Sequence, residues 1–241
     1  MHQTLRQPYT DSYLQCAYVL AVACATPGGA DVTRVADALR AIAAAFPSAR
    51  GRSAWGAALA AVLPYGVPPT HTQLVAAVCE AHRGLFEHGL SSTPPFRQGV
   101  SEVRRVFDAP TWYADQTRWG GLVWFVIHHL ARFGRLQALW PTLSPSSVPL
   151  ACCAAMVMAI SAAVPCSVCR EHAKDTVPDQ LERLAARGVT DPLDWTWHLR
   201  EAVRTTRARR DPPASPMAWP PTAGELRDTL ERDPRLRPPC D

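Results

Sequence analysis

The stretch DVTRVADALRAIAAAF, Asp31 to Phe46, decides the fold class. Val32, Val35, Ala36, Leu39, Ile42, Ala43 and Phe46 recur at the three- and four-residue intervals that place side chains on one stripe of a helix. Asp31 stands where its carboxylate can accept from the unpaired N–H groups of the first turn. Downstream, THTQ at Thr70 to Gln73 has the form of a capping box. The helix it opens carries Val75, Val78, Cys79 and Phe86 and should stop near Gly89. No alternating run of β-branched residues is long enough for a sheet, so the expected class is all-α.

The turn-rich segment SSTPPFRQG, Ser91 to Gly99, separates this first half from a second beginning near Val103. Helices are predicted there over Thr117 to Phe133, Val148 to Ala163, Cys166 to Val177 and Pro192 to Arg209, enough for a small bundle. The proline-rich tail from Asp211 should be mostly irregular, with a short helix over Ala223 to Glu231. In domain terms this reads as an N-terminal helical subdomain, 1–105, and a second unit, 106–241.

Composition narrows the function classes. The chain has 241 residues, 47% of them hydrophobic, with a formal net charge of +4. Its basic residues are scattered apart from RTTRARR at Arg204 to Arg210, so no nucleic-acid partner is expected. The apolar run LACCAAMVMAISAA is shorter than the roughly 20 residues that span a bilayer, and reads as a buried helix and not a transmembrane segment. The amino terminus lacks the apolar core of a secretory signal. Eight cysteines without an export signal point to buried thiols, metal ligands or catalytic groups more than to structural staples.

The chemistry concentrates in VPCSVCREHA, Val164 to Ala173. Cys166 and Cys169, with His172, could supply three zinc ligands, but a fourth must come from elsewhere, and no second CxxC, CxxH or HxxxH follows. As a redox pair they are better placed. Pro165 suits a helix start, and a cysteine at a helix amino terminus has its thiolate stabilised by unpaired N–H groups and the local dipole. Such a disulfide needs a cofactor to be reoxidised. No GxGxxG follows a strand, so a Rossmann flavin site is not indicated. On RWGGLVWFVIHHLARF, Trp124 and His128 share one helix face with Ala131, either as core packing or as contacts to a cofactor.

The order WFVIHHLA, then VPCSVCREH, then WTWHLREAVRTTR resembles the flavin-linked sulfhydryl oxidases of the Erv/Alr type, with their WxxxHxxA, CxxC and HNxVN motifs. YTDSYL near the amino terminus, CSVCREH and the basic stretch before ArgAspProPro resemble the divergent baculovirus-type viral members. The resemblance implies a helical bundle binding FAD, with an additional N-terminal helical subdomain standing in for a second subunit. It implies oxidation of protein dithiols to disulfides, with molecular oxygen reduced to hydrogen peroxide. The setting it implies is the cytoplasm or nucleus of an infected host cell, and the virion, with a homodimer left open. Carried over, Cys166 and Cys169 are the catalytic pair, with Cys169 as the partner of the flavin ring. Trp124, His128, His172, Val203, Arg204, Arg207 and Trp219 become cofactor contacts. The sequence departs at HNxVN, over which Arg200, Glu201, Val203 and Arg204 lie. His198 comes two positions early, on another helical face. Arg204, Arg207 or Arg209 could compensate the pyrophosphate instead, since guanidinium binds phosphate oxygens bidentately. No shuttle cysteine pair is recognised: Cys16 and Cys24 share an apolar stretch and Cys240 stands alone, so substrates would reach Cys166 and Cys169 directly. The rival reading is of a binding class: a catalytically degenerate viral structural protein that keeps the fold without flavin, or a zinc-binding interaction module.

Overall fold

A computed structural model describes residues 8–107 apart from 27, 65 and 98, then 116–139, 149–210 and 220–238; the side chains of 116–118 and 207–210 are not described. Within these the chain is all-α. The helices are α1 (Tyr9–Ala23), α2 (Val32–Ala45), α3 (Ala49–Val62), α4 (His71–Glu87), α5 (Val100–Phe107), α6 (Gln116–Phe133), α7 (Pro149–Ala163), α8 (Ser167–Ala186), α9 (Pro192–Arg210) and α10 (Ala223–Arg232), with a 3₁₀ turn at Leu136–Leu139. No strand occurs among the described residues. No helix among them is long and apolar enough to cross a membrane.

The local signals act as expected at α2 and α4. Asp31 accepts from Thr33 N at 2.9 Å and opens α2. Thr70 and Gln73 form the reciprocal capping box of α4. One expectation needs correction. The helix that begins after Cys166 does not stop before Pro178 but continues to Ala186. Proline there removes one backbone N–H and costs about 3 kcal/mol inside a helix. Val177 and Leu184, buried on either side of it, keep the apolar face of α8 in the core, which offsets that cost.

Helix α1 is the centre of the molecule. All its residues except Gln15 are buried, because it is apolar around its whole circumference and packs against α4, α5 and α6, with further contact to α2. Its two inner tyrosines each donate to a buried histidine. Tyr13 Oη lies 3.0 Å from His129 Nδ1 on α6, and Tyr18 Oη lies 3.0 Å from His82 Nδ1 on α4. Each histidine then uses Nε2 to reach a carbonyl, His129 that of Leu236 at 2.6 Å and His82 that of Thr93 at 2.9 Å. A carbonyl can only accept, so Nε2 carries the proton in both rings and Nδ1 accepts from the tyrosine.

Around this centre α3 packs on α4, α2 on α3 and α7, and α7 on α8, while α9 bridges α6, α8 and α10. A single hydrophobic core runs through helices from both halves of the chain. The expected boundary between residues 105 and 106 falls inside α5. The chain end is fastened by Tyr9 N to Arg235 O at 3.2 Å, by Arg132 to Glu231, and by Arg227 to Asp191 and Asp194.

Candidate active site

Cys166 is the N-cap of α8, and its sulfur accepts from Cys169 N at 3.0 Å. That places one sulfur on the open N–H groups of the first turn, where negative charge is favoured. Cys166 and Cys169 are joined as a disulfide, with their Cα atoms 5.2 Å apart. Both are half-buried, so the pair is neither sealed in the core nor fully exposed. Val168, between them, is 66% exposed and marks the accessible side of the turn.

Arg170, which carried no assigned role in the sequence, holds this turn in place. Its guanidinium donates to Val164 O at 2.7 Å, just before the Pro165–Cys166 step. It also donates to Gly28 O and Gly29 O at 2.7 and 3.3 Å, in the turn that follows α1. Glycine is required at 29 for a different reason, since a Cβ there would overlap Ala23 O as the turn folds back on the end of α1. A single side chain thus ties the cysteine turn to the central helix.

The other described cysteines differ in kind. Burial pushes the Cys16 thiol up to about 12 and Cys24 to about 11, and raises Cys79, Cys152 and Cys153. At neutral pH these five are protonated and poor nucleophiles. Cys240 lies outside the described residues. No group of three or more His, Cys, Asp or Glu side chains suited to a metal ion occurs among the described residues.

Trp124 and His128 come together as the spacing implies, their rings stacked with centroids 5.6 Å apart. His128 is 1% exposed and Trp124 half-buried. Across from them stands Thr196 of α9, whose Oγ1 is 3.0 Å from His128 Nδ1. The Thr196 hydroxyl spends its own proton on Leu193 O at 3.0 Å, so Nδ1 of His128 must be the donor. His128 therefore carries its proton on Nδ1 and presents an acceptor at Nε2, the opposite tautomer to its neighbour His129. Burial, helped by the Arg200 charge, holds His128 down at about 3, so the ring is neutral in any ordinary buffer.

Arg200 and Thr196, one turn apart on α9, are site residues that the sequence reading did not single out as contacts. The usable signal was their four-residue spacing on a helix bearing both apolar and polar groups. Arg200 is 4% exposed, and burial lowers its guanidinium to about 10. Glu201 compensates it, with Oε1 2.7 Å from Arg200, and at the same time holds Arg204 through Oε2 at 2.8 Å. Arg204, expected to await a pyrophosphate, is thus exposed and already paired. Val203 is half-buried on the next turn. His172 is half-buried on α8, beyond the disulfide. The Arg207 and Arg209 side chains and Trp219 lie outside the described residues.

No protein-family model, no curated protein and no solved structure matches the chain. The site combines a disulfide on the amino terminus of α8, which packs against α9, with Thr196 of α9 bonded to a neutral His128 that stacks on Trp124, and the buried Arg200 one turn on.

Proposed function

We propose that this chain is a thiol oxidase of the Erv/Alr type that converts protein dithiols to disulfides at Cys166 and Cys169, with FAD as cofactor and molecular oxygen as final acceptor. The observation that carries the reading is the disulfide at the N-cap of α8, alone among the described cysteines in combining partial exposure with a stabilising helix terminus.

In the first step a substrate thiolate attacks Cys166 Sγ, the S–S bond breaks, and Cys169 leaves as thiolate. The second substrate thiol, losing its proton, attacks the mixed disulfide. Substrate departs oxidised and the pair holds its two electrons. The Cys166 thiolate so formed is stabilised by the Cys169 N–H and the dipole of α8. Arg170 keeps the turn in register during this exchange.

The residues of α6 and α9 fit a flavin at its ring end. The half-buried Trp124 offers indole surface to a flat ring, and neutral His128 offers an acceptor beside it. Bound FAD would take the two electrons from the cysteine pair and deliver them to oxygen as hydrogen peroxide. At the pyrophosphate end, Arg204 would have to exchange Glu201 for phosphate oxygens.

The setting proposed is the infected cell and the virion of a DNA virus, where such an enzyme forms disulfides in a compartment that keeps thiols reduced. The pairing of Glu201 with both Arg200 and Arg204 favours one second reading, a chain that keeps the bundle as a binding protein without flavin. Oxygen consumption with a dithiol substrate distinguishes the two. Under the oxidase reading Cys166→Ser and Cys169→Ser each abolish it, while Cys16→Ala and Cys153→Ala leave turnover within a few-fold. Wild-type protein that consumes no oxygen when supplied with excess FAD would overturn the oxidase reading.

A further inference from the structure

YTDSYL places Asp11 on the first turn of the buried α1, and nothing in the oxidase reading uses it. Its carboxylate is 3% exposed. It accepts from Ser91 Oγ at 2.7 Å through Oδ1, and from Ser92 Oγ and Thr93 Oγ1 at 2.6 and 3.2 Å through Oδ2. All three are neutral hydroxyl donors, and no Arg or Lys pairs with it among the described residues. Buried charge is normally matched by opposite charge. Here the carboxylate instead lines a cavity of about 240 Å³ between α1, α4 and the 93–107 segment.

Three of the other lining residues are aromatic rings. Tyr18 and Phe107 lie nearly parallel, with centroids 5.6 Å apart and 19° between planes. Phe96 stands across both, at 81° to Tyr18 and 82° to Phe107. Leu14, Gln15 and His82 complete the lining, and burial holds His82 below its ordinary value, so it adds no positive charge. Exposed Thr93 and half-buried Phe96 connect the cavity to solvent. Ring faces carry negative quadrupole density, and several rings beside a carboxylate are how proteins hold alkylated ammonium groups.

We propose that this cavity binds a small organic ammonium cation, with the Asp11 carboxylate as counter-ion and Tyr18, Phe96 and Phe107 as its aromatic walls. The site is far along the chain from Cys166 and independent of whether flavin binds.

The test titrates the full chain calorimetrically with choline and with 3,3-dimethylbutan-1-ol, its uncharged counterpart of the same shape. Choline is expected to bind saturably and at least tenfold more tightly than the alcohol. Asp11→Asn should bring the two probes to equal affinity. Because Asp11 also holds the 91–93 turn, Phe96→Leu serves as a second variant that keeps all charges, and it should weaken choline at least five-fold while changing the alcohol little. Equal binding of both probes to the wild type, no saturable choline heat, or choline affinity unmoved in Phe96→Leu would each overturn the proposal.

Discussion

His128 and His129 are neighbours in sequence, yet each is committed to a different proton position by the group it faces. Thr196 forces the proton of His128 onto Nδ1, and the Leu236 carbonyl forces that of His129 onto Nε2. Both rings are buried and depressed, His128 to about 3 and His129 to about 4. The sign of the linkage follows. Between the unfolded value of about 6.5 and these folded values the unfolded chain binds more protons, so stability is complete above about pH 6.5 and lost as pH falls. Each histidine contributes a slope of roughly 1.4 kcal/mol per pH unit in that window. Urea midpoints taken from pH 7.5 to 5 should fall steadily, and His129→Gln should flatten the slope; a wild-type midpoint constant over that range would contradict the burial of both rings. Tyr13→Phe tests the same contact from the other side. It leaves His129 Nδ1 without its donor and should cost about 1–3 kcal/mol. Equal stability of Tyr13→Phe and wild type would show that this hydrogen bond is not made.

Among the elements, α2 and α4 were legible from an apolar stripe and a cap, α7 from an unbroken apolar run, and α1 was not legible. Val35, Leu39 and Ile42 announce α2, and Thr70 with Gln73 announces the start of α4. Helix α1 carries no such signal because Tyr13, Leu14, Ala17, Val19, Leu20 and Val22 cover every face, and a helix buried all round has no period to read. Pro178 misled in the opposite direction, a local breaker overruled by the burial of Val177 and Leu184. At the site, the pairing of Cys166 with Cys169 and the shared face of Trp124 and His128 were legible from spacing. Arg170, Thr196 and Arg200 were not, since their roles depend on partners more than 60 residues distant in the chain or on burial. Two substitutions test the packing of elements. At Gly51 an added Cβ would overlap the buried Phe46 ring, which is wedged against Tyr9, Tyr13 and Trp55. Gly51→Ala should therefore destabilise by about 1–3 kcal/mol in thermal unfolding, where an exposed helical glycine would gain stability from the same change. Arg170→Met should leave the melting temperature within a few degrees but lower dithiol turnover about tenfold or more, because the cysteine turn loses its anchor on the Gly28–Gly29 carbonyls. Undiminished turnover in this variant would remove Arg170 from its positioning role.

For the molecule as a whole, α1 and α2 supply walls to the half that bears the cysteines. Tyr13 satisfies His129, and α2 packs on α7. The reading of a first half that stands in for a second subunit accommodates this dependence, since the bundle then carries its partner within one chain. The central claim is that this bundle presents a flavin to the Cys166–Cys169 pair, and the visible absorption spectrum of the purified chain tests it most directly. The account predicts a yellow protein with the visible absorption of a bound flavin. This should bleach anaerobically on addition of a dithiol and return with air, with bleaching lost in Cys169→Ser although the colour remains. A colourless chain that gains no bound flavin when incubated with excess FAD would contradict it.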